Sequence, residues 1–293
     1  MSKYNFVKPE SLQQALELMD KTADCFLIAG GTDLMVKLKE KRISPALLID
    51  IGHLQELRMI DRQDGFINIG AAVSHAELAE SALIQQYAPM LAAAAVAVGS
   101  PQIRNRGTIG GNIGNASPAA DTVPALVAYG ARVTVSSQSG QRECSLESLL
   151  KGPGRTALAS GEMITAVRLR CQQVNQKSSF QKLGKRRALS ISVVNAGVFV
   201  EIDEVSRIIQ SARIVVGSVA PTAILIREAE TALLGQVLSP AVITQAGAIV
   251  EKVIHPIDDI RSTAAYRQAV AGILVKRALQ TVWSQFKLQE VQA

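Results

Sequence analysis

The chain has 293 residues, of which 48% are hydrophobic and 19% charged, so it can bury a sizeable core and form more than one folded unit. Its formal net charge is +6, but the basic residues are dispersed, aromatic residues make up only 4%, and no nucleic-acid-binding module is recognisable, so we expect no nucleic-acid partner. Cys25, Cys144 and Cys171 are too widely spaced for a disulfide framework, a CxxC metal site or an iron–sulfur cluster of the chain's own.

Nothing in the sequence predicts a membrane span or an export signal. The longest apolar stretch, residues 90–98, is too short to cross a bilayer, and the start, MSKYNFVKPE, contains no apolar signal segment. We therefore expect a cytoplasmic protein.

The first predicted domain, residues 1–57, has the pattern of a small β-α-β-like unit. Ser11, with Gln14 three residues later, predicts a capping box that starts an amphipathic helix running to Met19. Beyond this helix, apolar periodicity predicts a strand at 25–29, a short helix at 34–40 and a strand at 46–51.

The second predicted domain comprises residues 58–176. Asp64-Gly65 between two apolar runs predicts a hairpin, and Ser74 with Glu77 predicts a second capping box. A long loop is expected at 108–121, with Asp121 as the N-cap of the helix that follows. The other elements expected in this domain are a helix at 89–98 and strands at 132–136 and 163–169.

The third predicted domain, residues 177–293, places strands before helices, which is the order of an α+β fold. The strands are expected at 180–183, 193–202 and 208–219, and the helices at 222–234, 241–254 and 263–286.

Two glycine-rich segments lie where strands and helices meet, and they point to a ligand. The first, AGGTD, follows the apolar run FLI at 26–28, and the second, TIGGNIGNASPAAD, spans residues 108–121. Glycines let the backbone approach a ligand closely and offer N–H donors, while hydroxyl and amide side chains in both segments can add hydrogen bonds. Such segments suit a phosphate or a diphosphate.

Common signatures of nucleotide hydrolysis and hydrolytic catalysis are missing. The sequence has no GxGxxG, which disfavours a Rossmann site, and Gly184-Lys185 lacks the other residues of a Walker loop. No GxSxG or HExxH occurs, and His53, His75 and His255 are far apart, with a helix-face or surface role as the default for each. Two glycine segments with little acid–base equipment favour a cofactor housing, in which a flavin would supply the redox chemistry.

Three stretches resemble the FAD-binding subunit of molybdenum hydroxylases: FLIAGGTDLMV, PQIRNRGTIGGNIGNASPAAD and RSTAAYRQAVAGIL. That family includes xanthine dehydrogenase and the medium chain of carbon monoxide dehydrogenase, and the resemblance covers nearly the whole chain. It implies a FAD-binding domain of two α+β subdomains, of the type shared with vanillyl-alcohol oxidase. It also implies a C-terminal α+β domain with an antiparallel sheet and helices.

The resemblance implies FAD as the cofactor. We expect it to be bound non-covalently, since no His lies in either glycine segment, and the widely spaced histidines predict no metal site. Backbone amides in both glycine segments would hold the diphosphate, Ser117 and Asp121 would approach the ribityl chain and ribose, and Lys182 would lie near the isoalloxazine ring, in the pattern Lys182-x-x-x-Arg186-x-Ala188. The implied cofactor-binding residues are Leu27, Ile28, Ala29, Gly30, Gly31, Thr32, Asp33, Leu34, Val98, Thr108, Ile109, Gly110, Gly111, Asn112, Ser117, Asp121, Ile164 and Lys182.

These features also have ordinary structural explanations. The first glycine segment could be only a strand-to-helix turn, Asp121 only a helix cap and Lys182 a surface lysine. Ile164, without the resemblance, is an ordinary strand residue. Arg104 and Arg106, just before the second segment, could neutralise phosphate or contact a partner subunit, and the sequence does not decide between these roles.

The sequence departs from some relatives in two places. Val98 stands where others place a Phe against the isoalloxazine, so ring stacking is in doubt. The cysteine-bearing insertion of the hydroxybenzoyl-CoA reductases is missing, which argues against that branch.

The resemblance implies an oxidoreductase subunit that does not hydroxylate a substrate alone. Substrate would react on a molybdopterin-binding large subunit, electrons would cross two [2Fe–2S] clusters of a small subunit, and the FAD of this chain would pass them to NAD⁺ or another acceptor. Two alternatives remain open: a free-standing FAD-dependent reductase or oxidase of the same fold, and a non-catalytic nucleotide-binding or scaffold protein.

Overall fold

The computed structural model describes residues 4–186 and 190–292, which form three main sheets with helices packed on them. Ala188, in the lysine-containing pattern, lies outside the described residues. One sheet is parallel and the others are antiparallel, and the helices are interspersed or follow the strands. This is the α+β class that the sequence predicts.

The N-terminal sheet is a small parallel one, in the strand order β1-β3-β2. Helix α1 packs its apolar face on the sheet, with Ala15, Leu16 and Met19 buried in one cluster with Leu47 and Ile49. Because β2 and β3 end at the same edge, the loop after β2 emerges at the carboxyl edge of the sheet. The elements are β1 (Asn5–Val7), α1 (Leu12–Lys21), β2 (Cys25–Ile28), α2 (Leu34–Lys39) and β3 (Leu47–Asp50).

The capping box predicted at the start of α1 forms only in part. The Ser11 hydroxyl accepts from the Gln14 amide N–H at 3.2 Å, as expected. The Gln14 side chain, however, accepts from the backbone N–H of Glu10 at 2.6 Å and not from that of Ser11. The cap therefore reaches one residue further back along the chain than the motif implies.

The central sheet is antiparallel, in the order β4-β5-β10-β6-β7, and a two-stranded ribbon, β8-β9, lies beside it. Asp64 and Gly65 both have positive φ angles, 52° and 76°, as a two-residue hairpin between β4 and β5 requires. The elements are β4 (Ile60–Gln63), β5 (Phe66–Gly70), α3 (His75–Glu80), α4 (Ala82–Tyr87), α5 (Pro89–Val96), α6 (Pro101–Arg104), α7 (Ile109–Asn115), α8 (Thr122–Ala128), β6 (Arg132–Ser137), β7 (Gly140–Ser145), α9 (Leu146–Leu149), β8 (Leu150–Gly152), β9 (Arg155–Thr156) and β10 (Met163–Arg170).

The capping box predicted at α3 is complete. The Ser74 hydroxyl accepts from the Glu77 N–H at 3.2 Å, and the Glu77 carboxylate accepts from the Ser74 N–H at 2.7 Å. Arg58 contacts the same carboxylate. The pKa of Glu77 is lowered from its ordinary value, because its hydrogen bonds to Ser74 and its contact with Arg58 outweigh the effect of burial.

The second glycine segment is not the long loop that the sequence predicts, because residues 109–115 form the helix α7. Three glycines make the helix intrinsically weak, but the Thr108 hydroxyl caps it at the Gly111 N–H, at 3.1 Å. It ends at Ala116, whose left-handed backbone has φ of 45°. Tertiary contacts and a good cap therefore override the poor helix propensity of glycine.

The C-terminal sheet is antiparallel, in the order β11-β12-β13-β14, and three helices cover one side of it. The helix expected at 222–234 begins only at residue 227, because a two-residue strand precedes it. The start predicted at Ser239-Pro240 is confirmed, since the Ser239 hydroxyl accepts from the Val242 N–H. The elements are β11 (Gln176–Gly184), β12 (Ser192–Ile202), β13 (Ile209–Gly217), β14 (Ile224–Leu225), α10 (Arg227–Leu233), α11 (Pro240–Val253) and α12 (Ala264–Gln292).

Helix α8 joins the central part of the chain to the C-terminal sheet. A Cβ at Gly197 of β12 would lie 2.9 Å from the Pro124 carbonyl oxygen, so the strand and the helix approach backbone to backbone. We propose domain boundaries at 57/58 and 176/177, since each segment then holds one main sheet, apart from Gln176 at the start of β11. Among the described residues, no helix has both the length and the apolar character that crossing a membrane would need.

Candidate cofactor site

A cavity of about 320 Å³ lies between the loop after β2 and helix α7, and residues 158 and 162–164 form part of its wall. We call residues 29–34 loop A. Fourteen of the eighteen residues implied by the resemblance line this cavity: Leu27, Ile28, Ala29, Gly30, Gly31, Thr32, Asp33, Leu34, Val98, Thr108, Gly110, Gly111, Asn112 and Ile164. The other four do not: Ile109, Ser117, Asp121 and Lys182.

Loop A presents a run of unused hydrogen-bond donors. Among the described residues, the backbone N–H groups of residues 29–34 have no acceptor, whereas the next one, that of Met35, donates to the Gly31 carbonyl at 3.0 Å. Gly31 has a φ of 72°, which turns the chain so that successive amides can converge. Converging amides of this kind form a concave anion-binding site.

The amides of the second glycine segment are already used inside the protein. Those of Ile109 and Gly110 donate to the Val73 and Ala71 carbonyls, at 3.0 and 2.9 Å. Gly111 and the residue after it donate to Thr108. The amides without an acceptor are therefore those of loop A, whereas the resemblance implies donors from both segments.

Helix α7 leaves two gaps between the side chains that it presents to the cavity, at Gly111 and Gly114. A Cβ built at Gly114 would meet only the Ile164 Cδ1 atom, at 4.0 Å, and one at Gly111 would meet only the Thr108 hydroxyl, at 3.0 Å. Both positions line the cavity. The two glycines thus leave room for a ligand against the helix backbone.

Loop A and the end of α7 are tied together by a polar bridge. The Asn115 amide nitrogen donates to the Asp33 carboxylate at 3.2 Å, and its oxygen accepts from the Lys37 ammonium at 2.8 Å. All three residues line the cavity. Of the three, only Asp33 is a site residue predicted from the sequence, because Asn115 and Lys37 are 78 positions apart and no motif connects them.

Asp121 and Lys182 form an ion pair behind the cavity. Their side chains are only 8% and 12% exposed, and the ammonium nitrogen lies 2.6 Å from the carboxylate. The carboxylate also accepts from Ser192, at 2.6 Å, and from Asn195, at 3.1 Å. Asp121 therefore connects α8 to the C-terminal sheet and orients Lys182.

The predicted side-chain cap by Asp121 is wrong. Asp121 occupies the N-cap position of α8, but its backbone is helical and its carboxylate makes no capping hydrogen bond. The carboxylate binds Lys182 and the C-terminal sheet instead, since a buried charge is stabilised far more by an opposite charge than by one amide. The surface position considered for Lys182 is likewise excluded.

Lys182 contacts the cavity wall only indirectly, through the backbone of residues 97 and 98. Its ammonium donates to the Ala97 carbonyl at 2.7 Å, and the next residue, Val98, lines the cavity. Ile164, which also lines the cavity, follows the start of β10, where a register shift between Ile164 and Ala166 marks a bulge. The wall thus includes two aliphatic side chains, Val98 and Ile164, and the Lys182 ammonium is bound to the carbonyl of the residue before Val98.

Ile109 and Ser117 have structural roles in this arrangement. Ile109, the first residue of α7, is fully buried in the core. The Ser117 hydroxyl accepts from the Ala119 N–H at 3.3 Å and stabilises the turn before α8. Arg104 donates to the Val98 carbonyl at 3.1 Å, whereas the side chain of Arg106 is exposed and its backbone carbonyl faces Gly30.

His75 lines the cavity, whereas its sequence context predicts only a helix-face or surface role. It is 2% exposed and lines the cavity, and its Nδ1 atom is buried without a hydrogen-bond partner among the described residues. Burial, and then the positive charge of Arg104, lower the pKa of His75 to about 4. The imidazole is therefore neutral near pH 7.

Comparison with known proteins identifies the family of this chain. Residues 2–169 match the family described as the FAD binding domain in molybdopterin dehydrogenase, and residues 179–282 match the CO dehydrogenase flavoprotein C-terminal domain. This chain belongs to that flavoprotein family. The expected FAD cofactor, the α+β fold and the assignment to an oxidoreductase family are thereby confirmed.

Relatives of this flavoprotein match over nearly their whole length. The nicotinate dehydrogenase FAD-subunit of Eubacterium barkeri is 32% identical, covering 94% of this chain and 95% of that protein. The 6-hydroxypseudooxynicotine dehydrogenase complex subunit alpha of Paenarthrobacter nicotinovorans is 34% identical, with 94% and 93% coverage. A solved carbon monoxide dehydrogenase chain from Hydrogenophaga pseudoflava superposes with a TM-score of 0.91 at 30% identity, covering 97% and 98%.

The cavity of this flavoprotein suits FAD on physical grounds. Unused amides in loop A match an anionic diphosphate, and the two glycine positions of α7 allow a planar or extended ligand to lie close. The aliphatic side chains of Val98 and Ile164 in its wall suit an apolar ring system.

Replacing Gly114 by Leu is expected to remove most bound FAD without unfolding the protein. The new side chain would enter the cavity, whereas removing a helix glycine stabilises a helix by up to about 1 kcal/mol. The measurement is the FAD-to-protein absorbance ratio, together with the thermal unfolding midpoint. Ala93→Leu, at an exposed position of α5, is the matched control and should keep its FAD. Equimolar FAD in the Gly114→Leu variant would contradict the site.

Replacing Asp121 by Ala is expected to lower the free energy of unfolding by about 3–5 kcal/mol, because Lys182 is left as an uncompensated buried charge. Urea unfolding measures this difference. Glu143→Ala breaks the exposed pair with Arg132, whose side chains are 38% and 52% exposed, and should cost at most about 1 kcal/mol. Equal losses in the two variants would show that the Asp121 pair is not a buried one.

The stability of the FAD-free protein should fall with pH partly through His75. Its folded-state pKa of about 4 lies below the ordinary value of 6.5, so the unfolded chain takes up the proton first as pH falls. The contribution is fully present above pH 6.5, and about 2 kcal/mol of it should be lost between pH 7 and pH 5. Urea unfolding of the wild type and His75→Asn at both pH values isolates this loss. An identical pH dependence in the two proteins would refute it.

Proposed function

We propose that this chain is the FAD-carrying electron-transfer subunit of a multi-subunit molybdenum hydroxylase. It would receive electrons from [2Fe–2S] clusters on a small partner subunit and deliver them to NAD⁺ or another acceptor. The substrate would be oxidised on a molybdopterin-binding large subunit, so this chain would hydroxylate nothing by itself. We propose the cytoplasm as its location on the basis of the sequence.

The observation that carries this proposal is the cavity between loop A and α7, which has the unused amides of loop A on one side, Val98 and Ile164 in its wall and the Lys182 ammonium bound to the carbonyl of Ala97. The relatives' names support the assembly. They are called a FAD-subunit, a complex subunit alpha and a medium chain, and each matches this chain over most of its length.

FAD, when bound, supplies the exchange of electrons between the partner's clusters and the final acceptor. The amides of loop A would hold its diphosphate, because they neutralise negative charge without needing a charged side chain. Val98 and Ile164 would keep water from the ring side of the cavity. Gly111 and Gly114 would let the cofactor lie against α7.

Lys182 would set the charge at the ring end. An ammonium has three N–H donors, of which two are directed to Asp121 and to the Ala97 carbonyl. Among the described residues no third acceptor contacts it, so one donor remains for a ligand. Asp121 would act as the positioning partner that keeps this donor in place, and a cation there would stabilise negative charge on a reduced ring.

Native copurification tests the proposal. A tagged copy expressed in its own host should carry equimolar FAD and bring down two further chains, one containing molybdenum and the other iron. The proposal would be overturned if the chain carried FAD, purified without partners under mild conditions, and oxidised a small substrate at a physiological rate alone. That outcome would establish the free-standing flavoenzyme instead.

A chain that does not bind FAD would favour the alternative of a non-catalytic protein. If the chain retained no FAD after reconstitution with an excess of the cofactor, the glycine segments would serve packing alone. Substituting Gly31, whose φ of 72° strains any other residue, would then alter stability but no ligand binding.

A further inference from the structure

Lys37 differs from the other basic residues that follow loop A. Lys39, Lys41 and Arg42 are exposed and do not line the cavity, whereas Lys37 is half-buried and does. The Lys37 backbone N–H donates to the Asp33 carbonyl at 3.1 Å, so the two residues lie one helical turn apart and on the same side of the chain. Lys37 is therefore the member of this basic run that the fold brings to the cavity.

The Lys37 ammonium is held in the cavity wall by an uncharged partner. It donates to the Asn115 amide oxygen at 2.8 Å, and Asn115 is itself a wall residue. Within the part of the chain that the structure describes, no carboxylate forms an ion pair with Lys37 and no second acceptor contacts it. Two of its three N–H donors therefore remain, and no direct ion pair cancels its charge.

Lys37 is also the one cation among the wall residues that the structure describes. The other charged side chains of the wall are Asp33 and Glu162, and His75 is neutral near pH 7. Glu162 is neutralised from outside the cavity by Arg142, which donates two hydrogen bonds of 2.7 Å to its carboxylate. Without Lys37, the charged groups of the wall would all be carboxylates.

The negative charge of FAD resides in its diphosphate, because the adenine and the oxidised flavin are uncharged at neutral pH. Backbone amides attract a phosphate through partial charges, whereas an ammonium contributes a full unit charge. The two carboxylates of the wall repel the same phosphates. A cation held in that wall is therefore suited to counter this repulsion.

We propose that Lys37 is a cofactor-binding residue, whose ammonium is held by Asn115 in the cavity wall so that its positive charge attracts the FAD diphosphate. The proposal rests on the FAD site alone and does not depend on assembly with molybdenum or iron–sulfur subunits. Its failure would leave the proposed electron-transfer function intact, since native copurification tests that function separately.

The test is the affinity of the full chain, freed of its cofactor, for FAD, followed by flavin fluorescence. Titrations at ionic strengths of about 0.01 M and 1 M compare Debye lengths of about 30 Å and 3 Å. Lys37→Met removes the charge at similar length, Lys37→Arg keeps it, and Lys39→Met removes the same charge from an exposed position of α2 as the matched control. Lys37→Met combined with Asp33→Asn shows whether the lysine acts only by neutralising Asp33.

Lys37→Met should weaken FAD binding about ten-fold at the lower ionic strength, the order expected for one partly screened unit charge. The loss should shrink at the higher ionic strength, because salt screens the attraction. Lys37→Arg and Lys39→Met should both bind FAD nearly as the wild type does. In the Asp33→Asn background, Lys37→Met should cause the same fold-loss. Circular dichroism checks folding, and Lys37→Gln, whose amide can still donate to Asn115, replaces the Met variant if that variant does not fold.

Four results would overturn the proposal. The first is equal FAD affinity in Lys37→Met and the wild type, and the second is an equal loss in Lys37→Met and Lys39→Met, which would reflect net charge alone. The third is a loss in Lys37→Arg as large as that in Lys37→Met, or one that salt does not change, which would indicate a structural role. The fourth is disappearance of the loss in the Asp33→Asn background.

Discussion

The cavity depends on one close approach of two backbones. A Cβ at Gly30 would lie 1.8 Å from the Arg106 carbonyl oxygen, so only glycine lets loop A pack against the segment that leads into α7. This contact brings the carboxyl edge of the parallel sheet next to the capped start of the helix. The bridge from Asp33 through Asn115 to Lys37 then fixes the other end of α7. With both ends held, the amides of loop A keep their directions while no ligand is bound.

A second constraint joins the cavity to the rest of the chain. Asp121 accepts hydrogen bonds from Lys182 and from two residues of β12, and Lys182 donates to the carbonyl beside Val98. Burying this pair costs solvation energy, which only a well-formed network offsets. The network therefore does more than hold α8 on the C-terminal sheet. It also holds the Lys182 ammonium against the carbonyl of Ala97, next to Val98 of the cavity wall, where we propose that the cation stabilises negative charge on a reduced ring.

Features that depend on neighbouring residues could be predicted from the sequence, whereas contacts between residues far apart in the chain could not. The caps at Ser74 and Ser239 and the hairpin at Asp64 depend on neighbouring residues, and all are found. The sequence does not predict helix α7, because its three glycines give it a low intrinsic helix propensity. The carbonyls that stabilise its start come from residues 71 and 73. Most of the candidate site followed from the resemblance. Asn115, Lys37 and the cavity role of His75 did not, since they become neighbours of loop A only in the folded chain.

The central claim is that loop A supplies the amides that hold the diphosphate, while those of α7 serve the protein itself. Amide hydrogen exchange tests it most directly, because it reports each segment separately. In the FAD-free chain, residues 29–34 should exchange fast and residues 109–112 slowly. Saturation with FAD should slow exchange strongly at 29–34 and leave 109–112 nearly unchanged. Unaltered exchange at 29–34 in the fully loaded protein would contradict the account.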